Sequence, residues 1–267
     1  MINTNKSPGP DGICGRTLKC CADQLSGVLQ HLFQTSLDTA SIPTVWKTST
    51  VIPIPKTNHP KLLKDFRPVA LTSLVMKTLE KLVKTLVLSV TECQLDPLQF
   101  AYRAGRGVED AKLFILDKLY THLEKPHAHA RLLMADFSSA FNLMQPHILA
   151  RKLISDFHLN DQLVAWIIDF LTARPQSVLV NGNMSQMKVT NTGSPQGCCL
   201  SPLLYILYTD DCRSRHEDRF LVKFADDSAL LSLLFGSEQD HGPVLTEFVQ
   251  WCDDSYLGMF LRLKNSL

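Results

Sequence analysis

Hydrophobic residues recur along this chain with two different spacings, which predict helices in some segments and strands in others. A spacing of three or four residues, typical of amphipathic helices, occupies residues 16–37, 74–90, 108–123, 146–157, 162–173 and 243–257, and the apolar residues 200–209 predict a buried helix. Short apolar or alternating runs predict strands at residues 51–55, 66–71 and 131–136, a hairpin around residues 181–183, and two strands that meet near residues 225–227. The prolines of the first two strands indicate edge positions in a sheet. Helices and strands that intermingle with hairpins favour an α+β fold over a doubly wound α/β fold.

The composition is that of a globular protein with one large domain or two small lobes. The chain has 267 residues, of which 45% are hydrophobic and 20% are charged. Its longest uncharged stretch, residues 189–209, is interrupted by glycines and prolines and does not predict a membrane span, and the first residues lack the pattern of a secretory signal. The eight cysteines include two adjacent pairs and no Cys-x-x-Cys spacing, so we expect reduced thiols in an intracellular protein.

The net charge of +1 hides an uneven distribution along the chain. Residues 41–90 carry eight lysines and arginines against two acidic residues, a net charge of +6, whereas residues 200–267 carry eleven acidic residues against six basic ones, a net charge of −5. Such an arrangement suits a site that holds phosphates on one side and metal ions on the other. Solvated helix faces explain the same distribution equally well.

Two predicted strands end in carboxylates, and these are the first candidates for chemistry. Asp136 ends the apolar run RLLMAD, and Asp226 and Asp227 lie between the apolar residues of LVKF and SALL. Burial of a carboxylate is unfavourable, and two adjacent carboxylates raise each other's pKa, unless bound cations compensate. Clustered oxygen ligands favour Mg²⁺, and two such ions promote phosphoryl transfer. An Asp-Asp pair taken alone is more often a solvated turn, and the chain has others at residues 210–211 and 253–254.

Seven short strings occur along the chain in a specific order. They are KSPGPDGI, VWKTSTVIPIPK, DFRPVALTS, PLQFAYRAGRG, DFSSAFN, GSPQGCCLSP and FADD, and together they extend from about Lys6 to Trp251. Each string alone is a weak signal, but the ordered set resembles the reverse transcriptases. The residues in these strings are similar to those of the polymerases of non-LTR (LINE-like) retrotransposons.

The resemblance implies which residues carry the reaction. Asp136 and Asp226 match the two metal-ligating aspartates of the family, and Asp227 matches the third acid of the catalytic triad. The backbone carbonyl of Phe137 would complete the metal shell. The ions implied are two Mg²⁺, with Mn²⁺ as an alternative.

The resemblance also implies a binding site for a deoxynucleoside triphosphate (dNTP). Phe141 matches the aromatic side chain that crowds a ribose 2′-OH and so selects deoxynucleotides, although the sequence alone would favour plain core packing for it. Gly193 and Gly197 would let the backbone approach the base pair closely. The residues expected at the dNTP are Lys56, Arg67, Phe137, Phe141 and Gln196.

The architecture implied is that of the fingers and palm of a right-hand polymerase, with an antiparallel palm sheet flanked by helices. We expect an N-terminal extension and helix at residues 1–45 and a reverse transcriptase domain at 46–267, with fingers at about 46–125 and palm at about 126–267. The thumb, and the endonuclease of the full-length retrotransposon protein, are expected to be absent. The expected partners are an RNA template, a DNA primer and dNTPs, with no membrane, and the full-length protein would act in the nucleus.

Three functions are compatible with these residues. The first is an RNA-directed DNA polymerase that transfers a dNTP to a primer 3′-OH. The second is a catalytically silent, truncated nucleic-acid-binding remnant, suggested by a tail, LGMFLRLKNSL, that departs from the family's pattern. The third is a different two-metal enzyme such as a nuclease, which leaves the strings GSPQG and DFRPVAL unexplained. The resemblance favours the first.

Overall fold

The computed structural model describes residues 4–137, 140–236 and 242–263. The helices of this part of the chain are α1 (Gly15–Cys20), α2 (Ala22–Asp38), α3 (Thr44–Lys47), α4 (Leu74–Thr91), α5 (Val108–Leu123), α6 (Ala140–Leu143), α7 (Pro146–Ser155), α8 (Asp161–Leu171), α9 (Ser201–Tyr208) and α10 (Gly242–Asp254). The strands are β1 (Ser49–Pro55), β2 (Phe66–Thr72), β3 (Ala128–Phe137), β4 (Arg174–Val180), β5 (Asn183–Met184), β6 (Lys188–Thr190), β7 (Arg219–Phe224), β8 (Asp227–Phe235) and β9 (Met259–Leu263). Among these helices, none has the length and apolarity that a membrane crossing requires.

The chain divides into two compact units, each assembled from two separate segments. The first unit comprises Met1–Glu92 and Pro146–Ser201, and the second comprises Cys93–Gln145 and Pro202–Leu267. The units therefore interleave along the sequence, whereas the predicted fingers and palm follow each other in a single pass. Hydrophobic spacing identifies the buried face of an element but not the element that covers it, so this interleaving has no local signal. The functional division near residue 126 stays a prediction.

The first unit contains a mixed five-stranded sheet. Its order is β2-β1-β4-β5, with β6 also paired to β4. The prolines correctly predict an edge position for β2 but not for β1, which lies between β2 and β4. β1 tolerates Pro53 and Pro55 because its parallel ladder with β4 involves only Ser49, Thr50 and Val51. The predicted hairpin is the β4–β5 turn, where Asn181 and Gly182 have φ values of 49° and 80°, as a type I′ turn requires.

The second unit is built on a four-stranded sheet with the order β7-β8-β3-β9, in which every pairing is antiparallel. Phe114 and Ile115 of α5 pack against a cluster that contains Val222 and Ala229 on one face. Because side chains alternate along a strand, Phe137 of β3 points to the opposite face, where it contacts α10. The arrangement confirms the predicted α+β class and the antiparallel sheet flanked by helices. β9 was not among the predicted strands.

Candidate active site

The three predicted catalytic aspartates lie at adjacent strand ends of the second unit. β7 and β8 are joined by a two-residue turn of Ala225 and Asp226, because Phe224 pairs with Asp227. In the neighbouring ladder, Asp227 pairs with Asp136 near the end of β3. The turn is tight, since Ala225 has a φ of 57°, in the left-handed region that side chains disfavour. The structure thus brings Asp136, Asp226 and Asp227 together.

Phe137 is tied to the same turn through its main chain. Its N–H donates to the carbonyl oxygen of Asp226 over 3.2 Å. Its ring is buried and packs against Phe248 and Trp251 of α10, with centroid distances of 6.0 and 6.4 Å. The ring of Phe137 therefore packs in the core and fixes the end of β3. Its backbone lies beside the β7–β8 turn with Asp226 and the adjacent Asp227, which we call the acidic turn. This is compatible with the predicted role of its carbonyl oxygen.

The charges of the three aspartates act on one another. Burial, and then the charges of Asp226 and Asp136, raise the pKa of Asp227 above its usual range. A bound divalent cation would relieve this repulsion. In the described part of the chain, no three His, Cys, Asp or Glu side chains are grouped closely enough to hold a metal ion by themselves. Mg²⁺ in phosphoryl-transfer sites commonly uses one or two carboxylates together with water and substrate phosphates, and Asp136, Asp226 and the Phe137 carbonyl suit that mode.

An aromatic group lies beside these carboxylates. Phe141, on the short helix α6, is half-buried, and its ring lies between those of Tyr102 and Tyr205. Burial, and then the charge of Asp226, raise the pKa values of both Tyr102 and Tyr205. Phe141 is therefore near the acidic turn, and its contact with a nucleotide sugar stays a prediction. The sequence reasoning did not select Tyr102, although the string PLQFAYRAGRG contained it.

The predicted phosphate-binding residues of the first unit lie at one end of the β1–β2 ladder. Arg67 pairs with Ile54, and the N–H of Lys56, just beyond β1, donates to the carbonyl oxygen of Asp65 over 2.8 Å. The side chains of Lys56 and Arg67 are both exposed. The structure thus brings two cationic side chains to the same end of a hairpin, which is a favourable arrangement for a phosphate group.

Gln196 belongs to a loop that covers the free edge of β2. Its carbonyl oxygen accepts a hydrogen bond from the N–H of Ala70 over 2.8 Å. The next residue, Gly197, has a φ of 115°, and a Cβ there would lie 2.9 Å from the carbonyl oxygen of Ala70. Glycine is therefore required at this position for the loop to approach β2. The close approach in the structure is made to the β2 backbone. The approach of Gly193 and Gly197 to a base pair stays a prediction.

A buried carboxylate holds the other side of this loop. Glu80 is fully buried in α4, and its Oε2 accepts hydrogen bonds from the N–H groups of Cys199 and Leu200 over 2.5 and 3.0 Å. Burial raises the pKa of Glu80. The sequence analysis counted Glu80 only as a charge. Its burial was nevertheless predictable, because Glu80 lies four residues after Met76 and three before Val83, on the apolar face of the helix.

Comparison with known proteins assigns these residues to one family. Residues 54–262 match the family model described as reverse transcriptase (RNA-dependent DNA polymerase), a range that contains every predicted site residue. This chain belongs to the reverse transcriptase family. The four-stranded antiparallel sheet of the second unit is the palm sheet of that fold.

Relatives of this chain include RNA-directed DNA polymerases that are named for mobile elements. The RNA-directed DNA polymerase from mobile element jockey of Drosophila melanogaster is 27% identical over 264 residues, which cover 93% of this chain and 28% of that protein. The probable RNA-directed DNA polymerase from transposon X-element of the same species is 28% identical over 232 residues, 84% of this chain and 25% of that protein. The chain thus spans about a quarter of the length of these relatives.

Solved structures support the same fold. The apo telomerase from Candida tropicalis aligns with a TM-score of 0.58 over 91% of this chain and 50% of the telomerase, at 12% sequence identity. At that identity the likeness concerns the fold alone. The fold and the family inferred from the ordered strings are both confirmed.

Proposed function

We propose that this chain is the RNA-directed DNA polymerase core of a non-LTR retrotransposon. The observation that carries the proposal is the acidic turn, where Asp226 precedes Asp227 and Asp227 pairs with Asp136, in a member of the reverse transcriptase family. In the reaction, the 3′-oxygen of the primer forms a bond with the α-phosphorus of a dNTP, the bond to the β-phosphate oxygen breaks, and pyrophosphate leaves.

The acidic turn and the neighbouring end of β3 would supply the ligands for the metal ions of this reaction. Reverse transcriptases use divalent metal ions, and two Mg²⁺, or Mn²⁺, would favour loss of the proton of the primer 3′-hydroxyl and would offset charge on the leaving pyrophosphate. The carboxylates of Asp136 and Asp226 and the carbonyl of Phe137 would hold these ions. Asp227 adds a third negative charge at the same strand ends and so increases the attraction for cations.

The remaining predicted residues bind and select the dNTP. Lys56 and Arg67 neutralise the triphosphate, and the planar donors of arginine suit phosphate oxygens particularly well. Gln196 lies beside the incoming nucleotide, on a loop whose position is fixed by β2 and α4. Phe141 crowds the 2′ position of the sugar and excludes a hydroxyl there. The template is RNA and the primer is DNA.

The place of action follows from the same proposal. Relatives of the chain are polymerases of mobile elements. Insertion that is primed at the target DNA takes place where that DNA is held, so we propose the nucleus for the full-length protein.

Primer extension tests the proposed function. The assay contains the chain, an RNA template with an annealed DNA primer, Mg²⁺ and all four dNTPs. Extension that depends on the RNA template is the expected result. Template binding without extension would instead identify a catalytically silent remnant, and metal-dependent strand cleavage without synthesis would identify a nuclease.

A further inference from the structure

Tyr102 has a combination of properties that core packing does not explain. Its φ is 60°, in the left-handed region that a bulky aromatic residue rarely adopts. The residue is 44% exposed, so apolar burial compensates only in part for that backbone conformation. Strained backbone of this kind persists where the surroundings fix it, and it concentrates at functional sites.

The surroundings of Tyr102 do fix it. The segment before it is paired to the edge of the palm sheet, since the N–H of Lys223 donates to Leu98 and the N–H of Phe100 donates to Lys223, both over 2.9 Å. The side chain of Gln99 is buried and accepts a hydrogen bond from the N–H of Ala101 over 3.0 Å. The backbone on the N-terminal side of Tyr102 is therefore held by the sheet that carries Asp226.

The ring of Tyr102 is one of two supports for Phe141. On one side, Phe141 lies 4.9 Å from Tyr205, with an interplanar angle of 32°, and Tyr205 is fully buried in α9. On the other side, the centroid of Tyr102 is 6.4 Å away and its ring meets Phe141 edge to face at 75°. Such contacts between aromatic rings are directional and favourable. Because Tyr205 is fully buried, the half-exposed Tyr102 is the support that a substitution can remove without opening a cavity in the core.

We propose that Tyr102 is a positioning residue for sugar selection, which holds the ring of Phe141 at the place where it excludes a ribose 2′-OH. The inference rests on the proposed function, because it assigns Phe141 to the sugar of a dNTP. A hydroxyl differs from hydrogen by a single heavy atom, so a small displacement of Phe141 is enough to admit it. Tyr102 acts on the nucleotide through Phe141 and needs no contact of its own.

The test measures sugar discrimination, the ratio of kcat/KM for a dNTP to that for the matching ribonucleoside triphosphate, in primer extension on RNA. Tyr102→Ala is expected to lower this ratio by about three- to ten-fold, the range that one aromatic contact supplies. Tyr102→Phe keeps the ring and is expected to retain the ratio of the parent. Tyr120→Ala removes a tyrosine that is 66% exposed on α5 and is the matched control, with no expected change.

Phe141→Val separates the inference from the proposal beneath it. A lowered ratio in Phe141→Val with an unchanged ratio in Tyr102→Ala would overturn the role of Tyr102 and leave the polymerase assignment intact. An unchanged ratio in both would overturn the sugar-selecting role of Phe141, and the inference with it. The same comparison is made by equilibrium binding of the two triphosphates to the chain on a primer that ends in a dideoxynucleotide. Absence of any nucleotide binding there would refute the proposed function and the inference together.

Discussion

Lys223 lies in β7, three residues before Asp226, and its replacement by methionine tests whether a buried ion pair holds the acidic turn in place. The side chain is 3% exposed and its ammonium lies 2.8 Å from the carboxylate of Asp96, which is 5% exposed. The ammonium also donates to the carbonyl oxygens of Thr209 and Cys212, each over 2.8 Å. One side chain thus connects β7 to two segments of the second unit.

The size of the stability loss follows from the groups that Lys223→Met leaves without a partner. Lys223→Met fills a similar volume, but it leaves the carboxylate of Asp96 buried without its counter-ion. Breaking a buried pair in this way costs about 3–5 kcal/mol of unfolding free energy. Adding Asp96→Asn removes the charge and keeps the Oδ1 acceptor that the N–H of Leu98 uses over 2.9 Å. The double variant should therefore recover roughly 2 kcal/mol of that loss, because the remaining cost is mainly unpaired hydrogen-bonding groups.

Urea unfolding at pH 7, followed by tryptophan fluorescence and circular dichroism, measures both effects. The matched control is Lys112→Met, which removes an exposed ion pair with Glu109 and should change the unfolding free energy by no more than about 0.5 kcal/mol. If Lys223→Met were as stable as this control, or if Asp96→Asn restored nothing, the buried pair would not be what holds β7.

Two further predictions concern the loop of Gln196. Burial raises the pKa of Glu80, so the folded chain holds this proton more tightly than the unfolded chain does. The parent should therefore lose stability relative to Glu80→Gln as the pH rises from about 4.5 through the raised pKa, which urea unfolding across that range measures. A stability difference that does not change with pH would contradict this prediction. Gly197→Ala places a Cβ 2.9 Å from the Ala70 carbonyl oxygen, so it should cost about 1–3 kcal/mol of unfolding free energy and raise the KM for dNTPs. The control Gly27→Ala adds a Cβ in open space on α2 and should be stabilising by about 0.5–1 kcal/mol. Equal effects of the two variants would refute the close approach of Gly197 to Ala70.

Elements with a strong local pattern were predicted well. α5 begins and ends at the predicted residues, and the β7–β8 hairpin turns where an acidic pair interrupts two apolar runs. A single helix predicted at residues 16–37 is interrupted at Cys21, whose ψ of 24° departs from helical geometry without any local sequence signal. β9 pairs with β3, and its short apolar run MFLRL is a strand signal that the sequence prediction did not use.

The sequence revealed the part of the candidate site that lies at the ends of apolar runs. Asp136 and Asp226 were recognisable because each ends an apolar strand, and their convergence follows from the antiparallel order of β3, β8 and β7. The position of Tyr102 beside Phe141 depends on a bridge between Gln99 and Lys223, which are far apart in the chain. A contact created by such a bridge cannot be read from the spacing of residues.

The central claim is that the acidic turn performs nucleotidyl transfer, and Asp226→Asn tests it most directly. The measurement is primer extension on an RNA template with Mg²⁺, with Asp253→Asn as the matched control because Asp253 is an exposed acid of α10. We predict that the parent and Asp253→Asn extend the primer and that Asp226→Asn is slower by about a thousand-fold or more, since the proposed metal ligand loses its negative charge. Extension by Asp226→Asn at the rate of the parent would contradict the account.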